Sequence, residues 1–330
     1  ACVGAIEYAK KTTIKPVDYI KLEQKARSLA SYIVSSQKND GGWSISPREN
    51  SNITVSARAL WALIAAKEQN ITVDEAIINK GIRYLNQAFA QIGTNDNETK
   101  ALVQYVLSIA KAGNFTIANR LHRERNSMKT AGLAYTALLL AELDKKAMAD
   151  EVLETLVKAK PMMSRAWSKE GNLPWTNNDT EVASLILLAF SAIRPNSPVV
   201  KETAEHLLSL KCGNSFSPDH SKGTATLALS KYFMQSQYAK SNYELEIKVN
   251  NKTLQTIKGR ENTPVTTILV DKELIKKRGD NRVEFIFNGS GVYTYSVTLC
   301  GFSQTLADPK SWGHPYPIKR IYYQDRKSVV

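Results

Sequence analysis

From Ile20 to about Gln235 the apolar residues recur at helical spacing, and the helices they predict are of two kinds. One kind is amphipathic and comparatively polar: Lys21–Ser36, Asp74–Phe89, Lys145–Lys160 and Pro198–Leu210. In the first of these, Ala26, Leu29, Ala30 and Ile33 form the apolar stripe, with Lys21, Gln24, Ser28 and Ser31 opposite. The other kind is rich in alanine and leucine and nearly free of charge: Val55–Ala66, Lys100–Ala112, Ala131–Leu143, Glu181–Ile193 and Gly223–Phe233. A helix that is apolar all round must be enclosed by others. The apolar set returns at a spacing of about 40 residues, which is the mark of a repeat architecture. Alternation of enclosed and amphipathic helices predicts an inner ring wrapped by an outer ring, an α/α toroid, over residues 1–236. A stacked solenoid would need only one apolar face per helix. The first inner helix of a six-pair ring is expected to be missing or degenerate.

After Gln235 the period shortens to two. "YELEIKVNNKTLQTIKG" alternates about Asn250-Asn251, a tight hairpin turn. "PVTTILV" and "NRVEFIFNGSGVYTYSVTLCGF" supply three more strands, the last two joined by a turn at Gly289-Ser290-Gly291. A small antiparallel β-sandwich of about five strands is thus expected within residues 237–305. Residues 306–330 hold Pro309, Pro315 and Pro317 and then "IKRIYYQ", a linker and the first strand of a following domain. Ile318–Tyr323 is expected to be extended and to draw its pairing partner from a neighbouring domain.

Two loops interrupt the helical part with unusual chemistry. "QKNDGGW" precedes Val55–Ala66, so Gln37, Gly41, Gly42 and Trp43 lie between an amphipathic and an apolar helix. Gly41 and Gly42 open backbone conformations closed to other residues. Gln37 is placed to satisfy orphaned groups at a helix end, and Trp43 to cover the ends of two helices. The loop reads as a staple. Gly171 and Trp175 repeat the order of glycine, tryptophan, polar linker and apolar helix before Glu181–Ile193. Thr54 and Thr180 are the expected N-caps of the helices that follow.

The spacing of Gln37, Gly41 and Trp43 resembles the repeat of terpenoid cyclases and of the related toroids in macroglobulin and complement thioester domains. "QKNDGGW", "EIKVNNKTL", "DNRVEFIFNGSGVYTYSVTLCGF" and "IKRIYY", in that order, resemble the C-terminal part of bacterial alpha-2-macroglobulin-like proteins. The resemblance covers nearly the whole chain. It implies a toroid followed by a CUB-like β-module. It also implies a secreted, periplasmic or envelope protein that binds or entraps proteases or other macromolecules, with neighbouring macroglobulin domains as partners and no enzymatic activity. Many members carry Cys-x-Glu-Gln, whose Cys and Gln side chains form an internal thioester, a protected acyl donor. Cys2-Val-Gly-Ala and Cys212-Gly-Asn-Ser do not match it. Either the segment precedes Ala1 or the chain is of a thioester-lacking branch.

Composition adds exclusions. The chain has 330 residues, more than one hydrophobic core usually organises, and begins at Ala1 without a signal-peptide pattern. No apolar run reaches the ~20 residues of a membrane span. The net charge is +13, but lysine and arginine are scattered, and the densest patch, Lys319-Arg320 to Arg326-Lys327, lies at the C-terminal end; no nucleic-acid motif accompanies them. Three cysteines, Cys2, Cys212 and Cys300, form no disulfide framework. His122, His206, His220 and His314 are isolated in sequence, so no metal or cofactor is expected. Asn-x-Ser/Thr triplets begin at Asn52, Asn70, Asn97, Asn114, Asn178, Asn251 and Asn288 and carry little weight by themselves. The competing reading is a toroid enzyme acting on isoprenoid or polysaccharide. Asp40 and Asp179-Thr180-Glu181 are its best carboxylates, and Tyr32, Trp61, Tyr84, Trp167 and Trp175 its best groove lining. Carboxylates at helix starts serve the helix dipole, and aromatics at helical spacing are more often core.

Overall fold

The computed structural model describes residues 1–11, 19–159, 167, 171–211, 215–235, 242–260, 266–276, 279–291, 293, 295 and 297, and the backbone of 322–324 and 327–329. The chain falls into two compact units, Ala1–Thr294 and Tyr295–Val330. The first is mostly helical with a small antiparallel sheet.

Its helices are α1 (Cys2–Lys11), α2 (Tyr19–Ser35), α3 (Ile53–Glu68), α4 (Glu75–Phe89), α5 (Asn97–Ile109), α6 (Phe115–Arg123), α7 (Thr130–Glu142), α8 (Lys146–Lys158), α9 (Asp179–Ile193), α10 (Pro198–Ser209) and α11 (Lys222–Gln235). The apolar helices touch in succession: α3 packs on α5, α5 on α7, α7 on α9, α9 on α11, and α11 on α1. The polar ones lie against them, α2 on α1 and α3, α4 on α3, α6 on α5 and α7, α8 on α7 and α10 on α9. Residues 101–108 of α5, 130–140 of α7 and 180–191 of α9 are buried without a break. In α4 only Ile78, Gly81, Leu85 and Ala88 are, a single stripe.

Local chemistry fixes where the apolar helices start and stop. Asn52 caps α3, its Oδ1 accepting from the backbone N–H of Thr54 and Val55, and Asn178 caps α9 by accepting from Glu181 N. The caps are therefore these asparagines rather than Thr54 and Thr180. Asn114 caps α6 in the same way, so the asparagines of three Asn-x-Thr triplets are helix N-caps. The C-termini share one device. After α3, α5 and α7 the chain turns through Asn70, Lys111 and Asp144 at φ of 64°, 60° and 56°. The next amide in each case reaches back five residues, Ile71 N to Ala66 O, Ala112 N to Leu107 O and Lys145 N to Leu140 O, at 3.1, 2.8 and 2.8 Å. This is the Schellman closure that satisfies orphaned carbonyls.

Four expectations change. A first helix is present: α1 packs on α11 and α2, with Ile6 and Ala9 buried. A further polar helix, α6, lies between the apolar α5 and α7. It is short and arginine-rich, and its buried residues are Ala118 and Leu121, too narrow a stripe to stand out. Leu29 does not join the α2 stripe and is 48% exposed, so Ala26 and Ala30 carry the burial. The acid Asp40 is not at a helix start but within the turn that precedes α3, where it accepts from Gly42 N.

In the β part, strand β1 (Asn242–Val249) lies between β2 (Lys252–Gly259) and β3 (Val283–Ser290), both antiparallel to it. Asn250 and Asn251 have φ of 49° and 68°, the two positive values that a two-residue hairpin of matching twist requires. Leu245, Ile247 and Val249 form the buried face of β1. Glu244 and Glu246 on the other face meet Lys258 and Lys248. Residues 266–270 of "PVTTILV" are not a strand, and β3 continues through Gly289 to Ser290, which pairs with Asn242, in place of the expected turn. Of the remaining expected strand only Tyr293, Tyr295 and Val297 are described, none of them in a strand, and both proposed boundaries, 236/237 and 305/306, lie outside the described residues. In the second unit, β4 (Tyr322–Gln324) pairs antiparallel with β5 (Lys327–Val329). The expected dependence of Ile318–Tyr323 on another domain is thus corrected for Tyr322 and Tyr323, since β5 of the same chain supplies their partner.

Candidate functional site

The Gln37–Trp43 turn binds three helices through its backbone and side chains. Gln37 Nε2 donates to Gly41 O within the turn and to Ile77 O on α4, each at 2.9 Å. Lys38 N donates to Gly42 O, closing the turn. Gly41 sits at φ 90°, and a Cβ there would lie 2.5 Å from the Lys80 carbonyl oxygen. No side chain fits between this turn and α4. Asp40 Oδ1 accepts from Gly42 N and from Ser51 Oγ at 3.0 and 2.8 Å. Trp43 is 2% exposed. Its indole Nε1 donates to Ile33 O at the end of α2, and its backbone N to Ser56 Oγ on α3, both at 2.7 Å.

The second glycine-tryptophan loop has different partners. Its anchor is Glu98 near the start of α5, 4% exposed. Glu98 Oε2 accepts from Asn172 N at 2.7 Å and Oε1 from Thr176 Oγ1 at 2.6 Å. Gly171 N donates to Asn177 Oδ1 at 3.2 Å. Trp175 is buried beneath Arg58 of α3, whose guanidinium carbon stands 4.8 Å above the ring, a cation–π geometry.

That arginine leads to the most concentrated chemistry in the described residues. Arg58 Nη1 lies 3.2 Å from Glu181 Oε1 on α9, and Nη2 donates to Thr224 Oγ1 and to His220 O at 3.0 and 3.2 Å. Thr224 also donates to Glu181 Oε1 at 3.0 Å. Glu181 is fully buried, and burial pushes its carboxyl above the usual range against the opposing pull of Arg58. Deep among the same helices, burial pushes the phenols of Tyr105 and Tyr135 far upward. Nothing in the local sequence marks Arg58. Its only signal is a charge inside an otherwise apolar helix, the pattern that asks for a partner.

The residues favoured for an enzyme are dispersed. Tyr32 is 70% exposed on α2, whereas Trp167 and Trp175 are buried. Asp179 pairs with His206 at 3.0 Å, an interaction across α9 and α10 that isolated histidines in the sequence did not announce. A cleft of about 440 Å3 is lined by Thr94, Asn97, Arg120, Met128, Lys129 and Asn172 among others, and by none of those aromatics. Cys2 opens α1 as a free thiol; Cys212 and Cys300 lie outside the described residues. Among the described residues no group of His, Cys, Asp or Glu has the arrangement of a metal site, and no helix is long and apolar enough to cross a membrane.

No protein-family model matches the chain, and no curated protein matches it by sequence. Solved structures do match. Native alpha-2-macroglobulin from Escherichia coli, in the part spanning domain MG7 to the C-terminus, superposes with a TM-score of 0.55 over 76% of this chain at 13% identity. The fold is one found in bacterial alpha-2-macroglobulins. Salmonella alpha-2-macroglobulin reacted with methylamine gives 0.55 over 76% at 14% identity, and the Escherichia coli protein activated by porcine elastase 0.54 over 76% at 14%. This chain spans 40%, 16% and 23% of those three chains. At such identities the likeness is one of fold.

Proposed function

We propose that the chain is part of an alpha-2-macroglobulin-like protein, with an α/α toroid over residues 1–236, a CUB-like β-sandwich over 237–305 and the start of a further domain over 306–330. The observation that carries this reading is the ordered contact of the apolar helices, α3 to α5, α7, α9, α11 and α1, in a fold shared with alpha-2-macroglobulins of two bacteria. Its role is binding or entrapment of proteases or other macromolecules through the parent protein, together with neighbouring macroglobulin domains, in the periplasm, at the cell envelope or secreted. The activation of one structural relative by elastase supports a protease as partner. The chain itself is not an enzyme and carries no thioester segment. Gln37, Gly41, Gly42 and Trp43 act as a staple between helices, as do Gly171 and Trp175, because their hydrogen bonds and contacts are spent on backbone and core.

The test mixes elastase with the longest protein containing this chain and follows both by gel filtration. Co-elution of the protease with that protein is expected, while the isolated chain inhibits no protease. Turnover of an oligosaccharide or a prenyl diphosphate that Asp40→Asn or Asp179→Asn abolishes would overturn the proposal.

A further inference from the structure

Helix α6 and the 3-10 turn Arg125–Ser127 that follows it are lightly anchored. The helix has nine residues and buries two, Ala118 and Leu121, where α4, α8 and α10 bury four each. So short a helix has little stability of its own. Its attachment rests on tertiary contacts, and a segment with few buried ones opens locally at low cost. The same segment is a wall of the 440 Å3 cleft, to which it contributes Arg120, Glu124, Ser127, Met128 and, just beyond the turn, Lys129. A cluster of charged groups ties it to α8. His122 Nε2 lies 3.1 Å from Glu151 Oε2, and Arg125 Nη2 lies 3.3 Å from the same oxygen. Arg125 Nη1 donates to the His122 carbonyl at 2.9 Å.

We propose that this cluster is an acid-released latch, and that α6 with the turn after it is a cleft wall that opens when His122 takes up a proton. A neutral imidazole donates to Glu151 without carrying a charge. The His122 side chain is 12% exposed, so protonation places a charge where water barely reaches it. Arg125 and Arg123 repel that charge. Glu151 attracts it, but is already shared with Arg125 and is 53% exposed, so water screens the attraction. The neighbouring elements bring no spare counter-charge. On α8, Asp150 and Glu154 face Arg194, and the lysines stand at the helix ends. On α5, Glu98 is committed to Asn172 and Thr176, and Lys100 to the Thr94 carbonyl. Glu142, the one charge of α7, meets Lys111, and Glu124 accepts from Arg120 and Asn97. Burial first, and Arg125 next, therefore hold the His122 imidazole below its ordinary range. With the folded value lowered, its contribution to closure is present above the ordinary imidazole value and is lost as pH falls through the lowered one.

Hydrogen exchange of the full chain, read by mass spectrometry and corrected for the intrinsic pH dependence of exchange, tests the latch. The comparison is between about pH 7.5 and about pH 5.5, on either side of the ordinary imidazole value and above the carboxylate range. Amides of Thr116–Met128 are expected to exchange several-fold faster at the lower pH, with those of α7 and α9 unchanged. His122→Gln keeps a neutral donor at the position and is expected to abolish the rise, although His206, His220 and His314 remain. An equal rise in His122→Gln overturns the proposal. So does no rise in the parent, or a rise shared by all the helices, which would be a general loosening. Should His122→Gln fail to fold, the parent chain decides. The rise must then follow the titration of the His122 ring protons by nuclear magnetic resonance, and a rise that follows another group overturns the proposal.

Discussion

Replacing Trp43 by alanine tests whether its loop is a staple. The indole is 2% exposed, and a side chain of this size buries up to ~250 Å2. At ~25 cal/mol per Å2 that amounts to ~6 kcal/mol. Residual burial in the unfolded chain lowers the figure by up to ~40%. The lost indole bond adds little, because Ile33 O also accepts from Ser36 Oγ at 2.9 Å and keeps that partner. The net expectation is a loss of about 3–5 kcal/mol, within the usual cost of removing a buried aromatic. A second substitution makes the test specific. Gly81 of α4 passes so close that a Cβ there would lie 3.1 and 3.2 Å from the Trp43 ring and 3.3 Å from Leu60 Cδ1. In the parent, Gly81→Ala sets the ~1 kcal/mol helix preference for alanine against that crowding. With Trp43→Ala the ring is gone, and the new methyl gains both the helix preference and its own burial. The pair should therefore be non-additive by about 1–2 kcal/mol. Urea unfolding followed by far-ultraviolet circular dichroism measures both. A parent-like midpoint for Trp43→Ala, or strict additivity of the pair, refutes the reasoning.

Arg58→Ala should cost about 3–5 kcal/mol in the same assay by leaving Glu181 without its counter-charge, whereas Arg58→Met with Glu181→Leu should be nearly neutral; equal losses for the two variants would count against the buried pair. Glu181 supplies a pH test, because burial raises its carboxyl and the folded chain then holds a proton the unfolded chain has released. The Glu181 contribution is fully present below the ordinary carboxylate value and declines as pH rises through the window up to the raised one. The difference in urea midpoint between parent and Glu181→Gln should fall across that window, and a flat difference would refute it. Asp150 behaves oppositely: hydrogen bonding to Arg194 lowers its carboxyl, so its contribution is present above the ordinary carboxylate value and is lost as pH falls through the folded one. Its side chain is 43% exposed, which limits Asp150→Asn to under ~1 kcal/mol near neutral pH, vanishing in acid; a deficit that persists in acid would contradict this.

Elements governed by a period were legible in the sequence, and those governed by partners were not. The unbroken burial of α7 and α9 follows from runs such as "LAYTALLLA" and "LILLAFSA", where no polar face exists to turn outward. The Asn250-Asn251 turn was equally legible, because its chemistry is contained in two residues. Helix α6 was lost among the charges of "NRLHRERN". An Asn-x-Thr triplet offers two capping side chains, Asn52 or Thr54 and Asn178 or Thr180, and only the backbone decides that the asparagines hold the extended conformation. In sequence Asp179-Thr180-Glu181 is a set of dipole-favouring acids, which accounts for its place in the first turn of α9. It does not reveal that Glu181 waits for Arg58 of α3, a pairing that exists only once the apolar helices are assembled.

That pairing bears on why nearly featureless helices adopt one arrangement. Alanine and leucine surfaces slide past one another at little cost, and apolar cores tolerate repacking so long as volume is kept. A buried carboxylate tolerates no such shift. Glu98 must meet the amides of Asn172 and Leu173, and Glu181 must meet Arg58 and Thr224. A displacement of α5 or α9 by one residue would turn either carboxylate toward apolar neighbours at the cost of a lost charge-assisted bond. Each glutamate stands in the first turn of its apolar helix, where the dipole favours it, and each reaches an element distant in sequence. The apolar residues therefore supply most of the stability, and these two carboxylates supply the register in which it is realised.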